Sequence, residues 1–229
     1  MIALIRHAAA EGAEGRYIGD TDLPLSATGR AQARDMAEAF CAACNSAPPS
    51  CGRPDSLPAR TLAALYVSPL TRARHTAAPL AEALGIVPEI LDDLREIHLG
   101  QWEGLDRDHV RATRSEEFAA RGRDFAGFRP PGGESFADLA LRAGKALRRM
   151  ACGPLPCAAV THAGIIRVLL CRAQGLPLNE IFHFHPRHTG WTLLEFASPC
   201  RSGSLDPHLA AQNLSAADAA TLLRGSSRP

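Results

Sequence analysis

The sequence predicts an α/β fold with a mostly parallel sheet. Short apolar runs of strand length alternate with stretches whose apolar residues recur at helical spacing. Several of the runs end abruptly in polar, chemically competent side chains, as strands feeding a ligand-binding sheet edge do.

The first run, Ile2 to Ile5, stops at Arg6-His7 and reads as a short buried strand. Ser26 then reads as an N-cap, and Ala33, Met36, Ala37, Phe40, Cys41 and Cys44 recur at i, i+3, i+4, i+7, i+8 and i+11, one helical stripe. Asn45 to Arg60 is rich in Pro and Ser and reads as a surface loop. Ala63 to Val67 is a second strand. Ser68-Pro69 supplies an N-cap and first helical residue, Ala73, Ala77, Leu80, Ala81 and Leu84 a buried face, and Gly85 the stop. Phe136, Leu139, Ala140, Ala143, Leu147 and Met150 form another stripe. A strand at Ala158 to Thr161 leads into a helix from about Ile165 to Ala173, and Trp191 to Phe196 adds a last strand. From Ala197 the chain turns polar. Residues 1–196 are therefore expected to form the working domain and 197–229 a tail or peripheral helix, with a weak helix near Ser215 to Leu223.

Composition narrows the partners. The 229 residues carry a formal net charge of +1, with 46% hydrophobic and 21% charged residues, so no global field argues for nucleic acid. No apolar run reaches the roughly 18 to 20 residues that span a bilayer, and MIALIRH is too short and too soon charged for a signal peptide. The expectation is a cytoplasmic protein with a small-molecule partner and neither a nucleic-acid nor a membrane partner. The seven cysteines are odd in number and scattered, which favours reduced thiols.

Three strand ends carry unusual polar residues: Arg6-His7, Ser68 leading to Arg72, and Thr161-His162. Gathered on one sheet edge, two arginines and two histidines repel one another unless an anion neutralises them. Phosphate suits that role, since guanidinium grips two of its oxygens at once, and Arg72 in a first helical turn would hold it near the helix's positive end.

At these positions the chain resembles the histidine phosphatases, the phosphoglycerate mutase-like superfamily. LIRHA (4–8) resembles the Arg-His-Gly signature, and SPLTRARHTA (68–77) resembles the Ser-x-Leu-x-Arg-Ala-x-x-Thr segment. LREIHLGQWEG (94–104), PPGGES (130–135) and VTHAG (160–164) follow in the family's order. The resemblance spans residues 2 to 196 and implies a three-layer α/β/α sandwich. It also implies His7 as phosphoryl-accepting nucleophile, Arg6, Arg72 and His162 as the phosphate pocket, and Glu96 as the proton donor. No metal or cofactor is called for. In another branch of the superfamily an Asp follows the second histidine; Ala163 stands there, which supports Glu96. Glu103 and Glu134 are the other candidate carboxylates, each with a structural reading beside it.

The chain departs from the pattern at Ala8, where most members have Gly, and at Ala9 and Ala10, where Glu-Thr is frequent. No further phosphate ligand is assigned there. Cys41-Ala-Ala-Cys44 falls on the apolar stripe and reads as core packing. His183, His185 and His188 lack metal-ligand spacing and read as surface or loop residues. His98 and Trp102 flank Glu96 and either touch substrate or pack.

A phosphoglycerate mutase of this fold usually has a longer insertion after the acid segment; here about 25 residues separate Gly104 from Pro130. The implied reaction is therefore hydrolysis of a phosphomonoester through phosphohistidine. RYIGDTDLPLSATG (16–29), LREIHLGQWEG and PPGGES most resemble the α-ribazole phosphatases of cobalamin synthesis, which makes α-ribazole 5′-phosphate the expected substrate. The alternatives are a broad-specificity sugar-phosphate phosphatase, a mutase, or a catalytically dead binding protein.

Overall fold

A computed structural model describes residues 1–45, 61–196 and 206–225. The loop expected at Asn45 to Arg60 lies, Asn45 apart, outside the described residues. Six strands form one sheet: β1 (Ile2–Arg6), β2 (Ala64–Val67), β3 (Glu89–Ile90), β4 (Cys157–Thr161), β5 (Trp191–Phe196) and β6 (Pro207–Leu214). Their spatial order is β3-β2-β4-β1-β5-β6. β1 to β4 run parallel, β5 is antiparallel beside β1, and β6 is antiparallel beside β5 at the edge.

The helices are α1 (Ala27–Asn45), α2 (Thr71–Leu84), α3 (Arg107–Thr113), α4 (Ser115–Arg123), α5 (Phe136–Ala151), α6 (Ala163–Gln174) and α7 (Ala216–Gly225). The pleat sends alternate strand residues to opposite faces. Ile2, Leu4, Cys157 and Ala159 pack with α5 and α6 residues such as Leu147 and Ile166. Ala3, Ile5, Ala158 and Val160 pack with Phe40 of α1, Ala77 of α2 and Leu223 of α7. The result is a three-layer α/β/α sandwich. Because both faces are covered, the central strands read as continuous apolar runs.

Several local expectations are altered. Ser26 does cap α1, its Oγ accepting from Gly29 N–H at 3.0 Å. Ser68 does not cap α2, which starts at Thr71 after an extended Leu70; the Ser68 hydroxyl instead meets His162 Nε2 at 2.7 Å. After residue 205 the chain adds more than a helix. β6 pairs with β5 through a bulged register, and α7 buries Ala216, Ala219, Ala220 and Leu223. The segment Pro207–Leu214 is poor in large apolar residues because it is an edge strand with few fully buried side chains. Cys41, Cys44, Cys157 and Cys171 are free thiols, but Cys152 is disulfide-bonded, contrary to the expectation for the cysteines as a set.

The loop that carries PPGGES is pinned at the start of α5. Ser135 Oγ accepts from Asp138 N–H, and the Asp138 carboxylate accepts from Ser135 N–H, a reciprocal capping box. Ser135→Ala is expected to lower stability by about 1 kcal/mol in denaturant unfolding while leaving hydrolysis of a simple phosphomonoester near wild type.

Candidate active site

Parallel pairing brings the three polar strand ends together. Arg6 is in register with Thr161, and Val67 with Val160, so the next residues, His7, His162 and Ser68, emerge side by side. His7 N–H continues the ladder to Thr161 O at 2.9 Å, and Ser68 N–H to Val160 O at 3.0 Å. The His7 and His162 rings lie 5.0 Å apart between centroids.

The His7 tautomer follows from its neighbour. Nδ1 lies 2.7 Å from the Ala8 carbonyl oxygen, which can only accept, so Nδ1 carries the proton and Nε2 the lone pair. Burial first, and then the Arg72 charge, lowers the His7 pKa well below its usual value. His162 is lowered likewise, by burial and then by His7 and Arg72. Both rings are therefore neutral at neutral pH.

The arginines are fixed by backbone. Arg72, 1% exposed, donates from Nη1 to Thr21 O and from Nη2 to Gly19 O, each at 2.6 Å. Arg6 Nη1 donates to Pro186 O at 2.8 Å. Burial lowers the pKa of both, opposed by the nearby Glu96 carboxylate. Among the described residues, Arg6 Nε and His162 Nδ1 are buried with no hydrogen-bond partner, an arrangement that costs free energy unless something else supplies acceptors. A cavity of about 330 Å³ is lined by Arg6, His7, Arg72, Glu96, Arg167 and His188 among others. His162 is fully buried behind that lining, next to the His7 ring. An anion in the cavity would meet the arginine donors.

Glu96 is held by two backbone donors, Gly164 N–H to Oε2 and Ile97 N–H to Oε1, each at 3.0 Å. Gly164 at the start of α6 leaves the space that Glu96 Oε1 occupies, so a larger residue there would displace the carboxylate. Glu96 lines the 330 Å³ cavity and also an adjoining one of about 420 Å³, walled by Tyr17, Phe125, Phe128, Phe136 and Phe182 and by Arg16, Arg107, Arg121 and Arg167.

The other carboxylates are committed elsewhere. Glu134 accepts from His98 N–H and forms an ion pair with Arg142 at 2.8 Å. Glu103 accepts from Thr21 Oγ1 and from the N–H groups of Leu99, Asp20 and Gly19. Thus Glu103 holds the loop whose carbonyls hold Arg72. Trp102 is buried with its indole N–H on Glu117, so it packs, and His98 is exposed outside both cavities.

Ala8 fits where glycine is usual. It lacks a positive φ, its Cβ packs against Leu25 and Ala33, and its N–H donates to Thr76 Oγ1 at 3.0 Å. Of the histidines set aside in the sequence, His183 pairs with Glu180 and His185 is exposed, but His188 lines the His7 cavity and its ring centroid lies 5.6 Å from that of His7. Its sequence setting gave no signal, since a turn rather than a strand end brings it there. Among the described residues, no group of three or more His, Cys, Asp or Glu could hold a metal, and no helix is long and apolar enough to cross a membrane.

The family described as histidine phosphatase superfamily (branch 1) matches residues 2–47 and 54–202. The chain belongs to that family. Membership supports enzymatic phosphatase activity, specifically that of a phosphomonoester hydrolase. Individual relatives differ in what they are named for. A 2,3-bisphosphoglycerate-dependent phosphoglycerate mutase 2 of Gloeobacter violaceus is 34% identical over 147 residues, 62% of this chain but only 59% of that protein's length. An adenosylcobalamin/α-ribazole phosphatase of Salmonella typhimurium is 26% identical over 84% of this chain and 88% of its own. The native structure of a mycobacterial glucosyl-3-phosphoglycerate phosphatase superposes with a TM-score of 0.75 at 27% identity, covering 93% of this chain and 98% of that one.

The Glu103 clamp yields a pH test. Burial alone would raise its pKa, but hydrogen bonds from Thr21 and from backbone N–H groups outweigh burial and hold it below the usual value. A carboxyl whose folded pKa is depressed contributes stability that is present above its unfolded pKa, about 4.3, and is lost as pH falls through the folded value. Glu103→Gln should therefore unfold about 1–3 kcal/mol more easily at pH 7. In acid denaturation series the gap to wild type should narrow below about pH 4.

Proposed function

We propose that the enzyme hydrolyses phosphomonoesters of small polar alcohols, sugar phosphates foremost, through a phosphohistidine at His7. The neutral His7 Nε2 attacks phosphorus, and the P–N bond forms as the P–O bond to the leaving alcohol breaks. Arg6, Arg72 and His162 hold the equatorial oxygens, whose charge they stabilise. Glu96 gives its proton to the departing oxygen. As a carboxylate it then takes a proton from the water that attacks phosphohistidine, releasing phosphate and the free imidazole.

The observation that carries this reading is the position of Glu96 on both cavities. A proton donor for the bridging oxygen has to reach both the phosphoryl group and the alcohol. Glu134 lines only the larger cavity and is paired with Arg142, and Glu103 lines neither. For the alcohol, the arginines of the larger cavity offer donors to hydroxyl or carboxylate groups, and its aromatic walls offer faces for sugar C–H groups. The similarity to the glucosyl-3-phosphoglycerate phosphatase structure supports the same substrate class. A second reading, α-ribazole 5′-phosphate, draws on the aromatic walls, which suit a heteroaromatic alcohol, and on the Salmonella relative. A panel comparing kcat/KM for hexose phosphates, phosphoglycerate glucosides and α-ribazole phosphate separates the two readings.

Rapid acid-free quenching of the wild type with labelled substrate should trap base-stable, acid-labile phosphate on the protein, and His7→Ala should abolish both the label and turnover. Substantial turnover in His7→Ala would sink the mechanism. Glu96→Gln should slow alkyl phosphate hydrolysis by about 100-fold or more. Its effect on the first step with p-nitrophenyl phosphate should be much smaller, because nitrophenolate leaves without a proton. Equal slowing of phosphoryl transfer from both substrates would rule out Glu96 as the acid.

A further inference from the structure

We propose that His188 is an additional ligand of the phosphoryl group, contacting one of its oxygens through Nε2. The proposal rests on the reading that the His7 cavity receives a phosphoryl group.

His188 sits on the turn between Phe184 and Gly190, and β1 holds that turn in place. Thr189 N–H donates to Arg6 O at 2.9 Å, Arg6 N–H to Gly190 O at 3.3 Å, and Arg6 Nη1 to Pro186 O. Thr189, with φ of 54°, lets the chain reverse there. The His188 ring is aimed by a specific bond: Nδ1 lies 2.8 Å from the His7 carbonyl oxygen. That oxygen can only accept, so Nδ1 carries a proton and the orientation of the ring is set. The same ring lines the cavity against which Arg6 and His7 stand, and among the described residues Nε2 has no hydrogen-bond partner.

His188 also borders a second cavity of about 370 Å³ beside α1. Its Nδ1, however, is engaged by the His7 carbonyl and its ring centroid lies 5.6 Å from that of His7, so Nε2 is the ring nitrogen left for a ligand beside His7. The charged and titratable groups that share the cavity are Arg6 at the end of β1 and His7 after it, Arg72 from α2, Glu96 and Arg167, and the exposed Glu14, Arg16 and Arg107. Before an anion arrives, burial and Arg6 keep His188 neutral, its pKa below the usual value. For Nε2 to bond a phosphoryl oxygen, one proton must lie between them. The incoming monoanion can bring it on oxygen, or a dianion can stabilise it on the ring against the arginine field. Either state makes a charge-assisted hydrogen bond on the His7 side of phosphorus. That position is opposite the leaving group, so the contact serves binding of the phosphoryl group and leaves protonation of the alcohol to Glu96.

Two near-isosteric variants separate this role from simple bracing of His7. The side-chain nitrogen of Asn overlies His Nδ1, and that of Gln overlies Nε2. His188→Asn keeps the donor to the His7 carbonyl and loses the phosphoryl contact; His188→Gln does the reverse. Inorganic phosphate is the probe, as a competitive inhibitor of p-nitrophenyl phosphate hydrolysis, with melting temperatures measured alongside. His188→Asn should bind phosphate roughly tenfold or more weakly than wild type, the range of a hydrogen bond to a charged group, while His188→Gln stays within about threefold. The proposal is overturned if His188→Asn binds phosphate as the wild type does, or if His188→Gln weakens binding as much as His188→Asn. Should the wild type neither hydrolyse the ester nor bind phosphate, the site reading itself fails, a result distinct from either variant outcome.

Discussion

Arg72 carries a positive charge in a place almost without solvent, and much of the active-site architecture can be read as the means of keeping it there. A buried guanidinium is tolerable only when its donors are met. Here two carbonyls of the 19–21 loop meet them. That loop has no regular structure, so its own N–H groups need acceptors, and Glu103 provides them from more than 80 residues further along the chain. On the other side, the Arg72 carbonyl accepts from Thr76 Oγ1, which in turn accepts from Ala8 N–H beside His7. One continuous set of bonds thus runs from Glu103 through Arg72 to His7, and the charge at its centre lowers the basicity of both histidines.

The carboxylates show how identical side chains acquire different work. Glu103 is saturated by donors, and Glu134 is neutralised by Arg142. Glu96 is held only by backbone N–H groups, one at the start of α6, and it faces open space on two sides. Backbone donors fix its position without supplying a countercharge, so it can exchange a proton without breaking an ion pair. The absence of a side chain at Gly164 is as much a part of this arrangement as the carboxylate.

The order and type of the central elements could be read from the sequence because periodicity is a local property. Strands β1, β2, β4 and β5 and helices α1, α5 and α6 fell within a few residues of their expected places. The strand ends pointed to His7, Arg72 and His162, since parallel pairing requires such ends to share an edge. What could not be read depends on long-range contacts. Strand β6 lacks an apolar run because it lies at an edge beside β5. Ser68 offers its hydroxyl to His162 rather than to the helix it precedes, a choice made only when β4 arrives beside β2. His188 stands in a polar, histidine-rich segment that reads as surface; its place beside His7 is created by bonds between the 184–190 turn and a strand some 180 residues earlier.

The two cavities are built by different means, and this separates chemistry from specificity. Around His7 the polar groups are fixed by backbone atoms: Arg6 and Arg72 by carbonyls, Glu96 by N–H groups, His7 by Ala8 O. Their positions follow from the main chain at the sheet edge and in the loops fastened to it, such as the 19–21 loop that Glu103 holds. The larger cavity is walled by side chains from the 16–18 segment, the short helices α3 and α4 and the Phe182 region. Helix α4 has no buried residue, and its Arg121 lies over the Phe125 ring at 4.3 Å. Ile97, Leu99, Phe125 and Phe136 tie this cavity to the core, but the walls supplied by the 16–18 segment and by α3 and α4 can be exchanged at less cost to it. A family can therefore keep the phosphoryl-transfer end constant while the alcohol it releases varies, and similarity at the strand ends identifies the reaction with far more force than it identifies the substrate.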